Sequence, residues 1–159
     1  MPPKQIPHII LVAFLLTAFI GFADAAYLTA KHYLGEIPPC SLVSGCETVL
    51  TSPYATVVGN MPVALVGAVY YLALFIGGIL YVDTKNTAVI KTIAYFTFVG
   101  FIISAILVGL QVFIIRALCL YCIASAITST LLWIFGIIIL RKVKQTDTIN
   151  VGAMPTLMR

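Results

Sequence analysis

ALCLYCIASAITSTLLWIFGIIIL, residues 117–140, runs without one charged side chain. A helix rising about 1.5 Å per residue needs roughly 20 apolar residues to cross about 30 Å of hydrocarbon, and this run meets that length. It is a membrane span, and Cys119 and Cys122 open it. Three further stretches lack Asp, Glu, Lys and Arg: 5–23, 48–82 and 92–115. They place helices near 8–29, 62–82 and 88–115, with the last near 118–140. The 48–82 run is too long for one crossing, and Pro53, Gly59 and Pro62 punctuate its first half. Residues 47–58 therefore read as a short interfacial or re-entrant helix, and Pro62 as the start of the true span.

Composition agrees. The hydrophobic set makes up 62% of the chain, charged residues 9%, and mean hydropathy is +1.12. A soluble domain carries about 25% charged residues, so a soluble fold, a secreted miniprotein, a nucleic-acid binder and a disordered chain are all excluded. The expected architecture is an all-α four-helix transmembrane bundle over residues 1–142, with an outer loop at about 30–60. Residues 143–159 lack hydrophobic periodicity and read as a disordered cytoplasmic tail.

Cations orient the bundle. Lys4, Lys85, Lys91, Arg141, Lys142, Lys144 and Arg159 fall on one side, against Lys31 and Arg116 on the other. The positive-inside rule makes the termini cytoplasmic in a multi-pass protein of the cell membrane. The first helix also imitates a signal peptide, with Lys4, the apolar stretch from Ile9 to Phe22 and Ala23-Asp24-Ala25 as a small-x-small site. Asp24 inside that tripeptide, and the pairing of this helix with a fourth, favour retention.

Topology drawn from Lys and Arg alone puts Cys40, Cys46, Cys119 and Cys122 at the outer, oxidising face. Cys119-x2-Cys122 has the spacing of a redox dithiol, since residues three apart share a helix face. The first of them sits where free N–H groups and the helix dipole favour a thiolate. Cys40-x5-Cys46 lies in a Pro-, Ser- and Gly-containing loop suited to movement. Static disulfides and a four-thiolate zinc site use the same residues, although no His or Asp adjoins Cys119 to support zinc. Asp24 on helix one is a candidate for a polar cavity or for reaching the interface. Ser104 and Gln111 share a face of helix three, as interhelical hydrogen bonding requires. His32 reads as a solvated loop residue, and Tyr27, Tyr33, Tyr54, Tyr70 and Tyr71 as an interfacial belt.

In these residues the chain resembles the short microbial form of the vitamin K epoxide reductase family. The ordered set is Cys40-x5-Cys46, Val49, Ser52, Tyr54-Ala55, Gly59-x-x-Pro62, Gly67, Tyr70-Tyr71 and Cys119-x2-Cys122. The resemblance spans about residues 20–130. It implies a four-helix bundle enclosing a quinone near its outer end, capped by the loop and a half-helix. It also implies a thiol:quinone oxidoreductase. A thioredoxin-fold partner would pass two electrons to Cys40–Cys46; Cys46 would attack Cys119 in a transient Cys46–Cys119 disulfide; and Cys119–Cys122, with Cys122 facing the ring, would reduce the quinone. Ser52 matches the family's serine at the loop–bundle junction. The quinone-binding Asn of the animal enzymes falls on Val63, and their Thr-Tyr-Ala on Ser125-Ala126-Ile127. The acceptor implied is thus an ordinary membrane quinone of the menaquinone or ubiquinone type, with no metal, and not vitamin K epoxide. The chain ends soon after helix four, so the partner is expected to be a separate protein. The contrasting reading is a non-enzymatic four-span scaffold held by static disulfides, which would gain little from stapling adjacent turns of one helix.

Overall fold

A computed structural model describes residues 7–39, 45–57 and 61–153; Cys40 and Gly59 lie outside them. The chain folds into α1 (His8–Leu34), a short α2 (Cys46–Leu50), a 3₁₀ turn (Pro53–Ala55), α3 (Val63–Thr84), α4 (Thr87–Gly109) and α5 (Leu120–Ala153). Residues Leu110–Ile115 carry α4 on as a π-helix. Four helices are long and apolar enough to span a membrane: His8–Leu34, Val63–Thr84, Thr87–Ile115 and Leu120–Val143. No strand forms among the described residues; one isolated bridge joins Thr56 and Pro62.

The spans close into a ring, α1 against α3 and α5, and α4 against α5 and α3. On α1 the buried positions are Leu11, Phe14, Ala18, Gly21, Ala25 and Leu28. Their alternating steps of three and four are the seam spacing of a left-handed bundle. In lipid that seam is held by close packing, because burying apolar surface from apolar lipid gives no hydrophobic gain. The outward faces stay apolar, with Phe19, Ile20, Phe96 and Phe98 all more than half exposed or close to it. Phe14, Tyr71, Leu74, Ile90, Leu132 and Ile139 fill the interior.

Helix ends depart from the expected bounds in three places. The half-helix expected over 47–58 is α2, Cys46–Leu50, followed by the 3₁₀ turn Pro53–Ala55, because Pro53 cannot continue the α2 hydrogen bonds. α1 continues to Leu34, so Lys31 and His32 ride on its last turn and not in the loop. Nothing in 28–34 breaks a helix, two basic groups complement its negative end, and Gly35 at φ 67° closes it, its N–H returning to the carbonyl of His32. Asp24 is consequently ten residues from the helix end, about 15 Å by helical rise and deeper than the sequence suggests. α5 continues through residues 143–153, where the sequence reading expects disorder. Once a helix is nucleated, propagation needs little from each residue, and neither Gly nor Pro interrupts 143–150.

Candidate functional site

Gly45 brings the loop onto the bundle. A Cβ there would lie 2.6 Å from the Leu118 carbonyl oxygen and 2.8 Å from its nitrogen. Only a glycine lets α2 dock this closely on the backbone that leads into α5. Docking buries Cys46 against Cys119, with Val49 beside them and Leu50, Ile115, Ala117 and Tyr121 around the edge. Cys46 and Cys119 are 1% and 0% exposed. Tyr121 adds a tie from the other side, its hydroxyl donating to the Pro39 carbonyl at 3.2 Å. Cys46 is disulfide-bonded, whereas Cys119 and Cys122 are free thiols.

Cys119 immediately precedes α5, and its carbonyl accepts the N–H of Ile123 at 3.0 Å as the first bond of that helix. Its own N–H donates to Gln111 Oε1 at 3.1 Å. Gln111 is buried, on the π-helical segment, and its side chain also hydrogen-bonds Cys122. Arg116, at φ 55°, ends that segment and turns the chain toward Cys119. The Cys119 thiol is lowered from its ordinary range to about 7, chiefly by the hydrogen bond from Cys122 and, despite burial, also by the N–H groups of Cys122 and Tyr121. A thiol so placed is a competent leaving group and nucleophile for disulfide exchange.

Behind the cysteines lies a cavity of about 460 Å³, walled by α1, α3, α4, α5 and the α2–turn segment. Cys122 faces it; so do Ser52, Tyr54, Val63, Phe96, Leu107 and Gln111. Its size is that of a small-molecule site, and most of its wall is hydrocarbon. The Ser52 hydroxyl donates to the Val49 carbonyl at 2.7 Å, closing the turn that follows α2 at the cavity rim. Tyr71 is pinned by α5: its hydroxyl donates to the Ser125 carbonyl at 2.7 Å and lies 2.8 Å from the Ser129 hydroxyl. Among the described residues, Asp24 Oδ2 and the Tyr70 hydroxyl are buried polar atoms of the wall without a hydrogen-bond partner.

Cys46, Cys119 and Cys122 thus meet at one end of the bundle, and Ser52 and Val63 both line the cavity beside them. Cys40 lies outside the described residues. Asp24, Gln111, His32 and Tyr70 add to the site more than the sequence reading assigned them. An isolated acid or amide within an apolar span was the only signal available for the first two. No cluster of three or more His, Cys, Asp or Glu suited to a metal occurs among the described residues.

The model of the vitamin K epoxide reductase family matches residues 12–137, which reaches into all four spans and includes all four cysteines. None of the curated proteins gives a match.

Proposed function

This chain belongs to the vitamin K epoxide reductase family, and on that premise we propose that it is a thiol:quinone oxidoreductase that reoxidises a thioredoxin-fold partner. Membership already makes it a membrane oxidoreductase of a quinone-using family. The finer reading concerns the electron path. The observation that carries it is the burial of disulfide-bonded Cys46 against Cys119, beside a Cys122 that faces the cavity.

Each group has a task in that reading. Cys40 receives the partner's attack on the loop disulfide, which reduces the loop. Cys46, released as a thiolate, attacks the Cys119 sulfur of the oxidised helix pair and expels Cys122 as a thiolate; Cys40 then attacks the Cys46 sulfur of the mixed disulfide and releases Cys119. The dithiol Cys119–Cys122 then gives two electrons to the acceptor, reforming its disulfide. Gln111 holds the Cys119 backbone and the Cys122 thiol in register. Ser52 shapes the turn after α2 in the capping segment, and Val63 supplies an apolar wall.

The residues present suit a quinone. A flat ring with an isoprenoid tail asks for an apolar slot open between helices, plus polar groups for its carbonyl oxygens. The cavity offers the slot, and Asp24 Oδ2 and the Tyr70 hydroxyl, without a hydrogen-bond partner among the described residues, offer the polar groups. A bound quinone supplies a two-electron acceptor there. Menaquinone- and ubiquinone-type rings both meet this description.

Purified protein, given a reduced thioredoxin-like protein and a short-chain quinone, should produce quinol, and each of Cys40→Ala, Cys46→Ala, Cys119→Ala and Cys122→Ala should abolish turnover. Turnover that survives in all four variants would reject the relay. A wild type that never reduces quinone would reject the enzyme reading in favour of a disulfide-held scaffold.

A further inference from the structure

We propose that Asp24 is the acid that protonates the quinone, a catalytic residue in addition to the cysteines; this rests on the quinone-reductase reading above. Reduction of a quinone to a quinol takes up two protons along with two electrons, so a site that supplies electrons from sulfur needs a proton source in the same enclosed space.

Four observations converge on Asp24. It lies well within α1, ten residues from the helix end at Leu34, where a carboxyl is costly to retain without a use. It lines the same cavity as Cys122. Its Oδ2 is buried and meets no hydrogen-bond donor among the described residues, so the surrounding scaffold they form does not account for it. It is also close enough to the dithiol for its charge to act on Cys119, raising the cost of a thiolate there. A second negative charge in the same low-dielectric site is unfavourable. A Cys119 thiolate and a proton on Asp24 therefore go together, as in paired groups whose environments assign one the base and the other the acid.

The balance is complete. Cys119 enters as a thiolate and Cys122 as a thiol. Forming the S–S bond releases two electrons to the ring. The Cys122 proton goes to one quinone oxygen and the Asp24 proton to the other, which yields the quinol and leaves Asp24 as a carboxylate. Water at the end of α1 returns the proton, and His32, two helical turns along the same face, lines the cavity there. The other titratable groups on the cavity wall are Tyr54, Tyr70 and Tyr71. Tyr71 is already engaged by α5, and the Tyr70 hydroxyl, pressed against Gly100, is suited to holding a carbonyl oxygen.

Single-turnover mixing of prereduced protein with a short-chain quinone tests this. Asp24→Asn keeps the shape and removes the proton. It should slow quinol formation at least about 100-fold, the lower end for loss of a general acid, with the quinone Kd, read by isothermal titration calorimetry, changed less than threefold. Asp24→Glu should recover much of the rate. A second readout needs no quinone and no Asp24 variant. In Asp83→Asn/Asp147→Asn protein labelled with ¹³C at the aspartate carboxyl, Asp24 is the only labelled side chain. Infrared spectra at pH 7 should show its protonated carboxyl band when the dithiol is reduced. An Asp24→Asn rate within threefold of a competent wild type, or a carboxylate band alone in the reduced protein, overturns the proposal. A wild type unable to reduce quinone at all would instead strike the underlying function, which keeps the two failures apart.

Discussion

Cys119 owes its chemistry to its neighbours rather than to its residue type. The Cys122 hydrogen bond is the largest of the influences that bring it down to about 7, so its thiolate is lost as pH falls through that value. In a Cys40→Ala/Cys46→Ala protein, thiolate absorbance should titrate with a midpoint near 7. Adding Cys122→Ala removes the donor and should move the midpoint up into the ordinary thiol range; an ordinary midpoint in both proteins would contradict the assignment. Gln111 acts on the same residue through the backbone. Gln111→Leu leaves the buried Cys119 N–H without an acceptor, a cost of about 1–3 kcal/mol, which should appear as a lower Tm and slower Cys46–Cys119 exchange. The Cys-x2-Cys spacing made the dithiol readable in the sequence. The role of Gln111 was not readable, because it depends on a π-helical segment and the left-handed Arg116, and neither leaves a pattern in the residue types around them.

At the scale of elements, the decisive contact is α2 against the start of α5. Its geometry depends on Gly45, which faces the Leu118 backbone with no room for a side chain. Gly45→Val should cost about 1–3 kcal/mol of overpacking and thin the docked population roughly 5- to 150-fold. Loop-to-helix disulfide exchange should slow by that factor, while circular dichroism reports an unchanged bundle. Equal rates in the variant and the wild type would mean that the loop reaches Cys119 by another path. The half-helix was legible from Pro53, Gly59 and Pro62, since those residues cut a run too long for one span. The length of α1 was not, because residues 28–34 lose hydropathy without losing helix propensity, and hydropathy is what marks a span's edge. The same blindness applies to the bundle seam: when both faces of a helix are apolar, the positions that pack inward leave no contrast to read.

The whole molecule is an up-and-down bundle whose two ends differ. Lys85, Lys91, Arg141 and Lys142 mark one end; Cys46, Cys119 and Cys122 gather at the other. The positive-inside rule turns that difference into an orientation. With all four native cysteines replaced and one reporter cysteine placed at Glu36, an impermeant maleimide should label intact cells, and labelling only after lysis would reverse the orientation. The central claim, however, is that one sulfur serves two disulfides in turn, and trapping tests it most directly. Cys40→Ala removes the loop thiol that resolves the Cys46–Cys119 bond, and Cys122→Ala removes the helix thiol that does so. Docking already gathers Cys46 and Cys119 into one buried cluster, and a disulfide between them needs their Cα atoms within about 7 Å. After cleavage within the loop, non-reducing gels of either variant should show the loop fragment still linked to α5 and released by reductant. Fragments that separate without reductant in both variants would contradict the relay and leave the cysteines as two independent pairs.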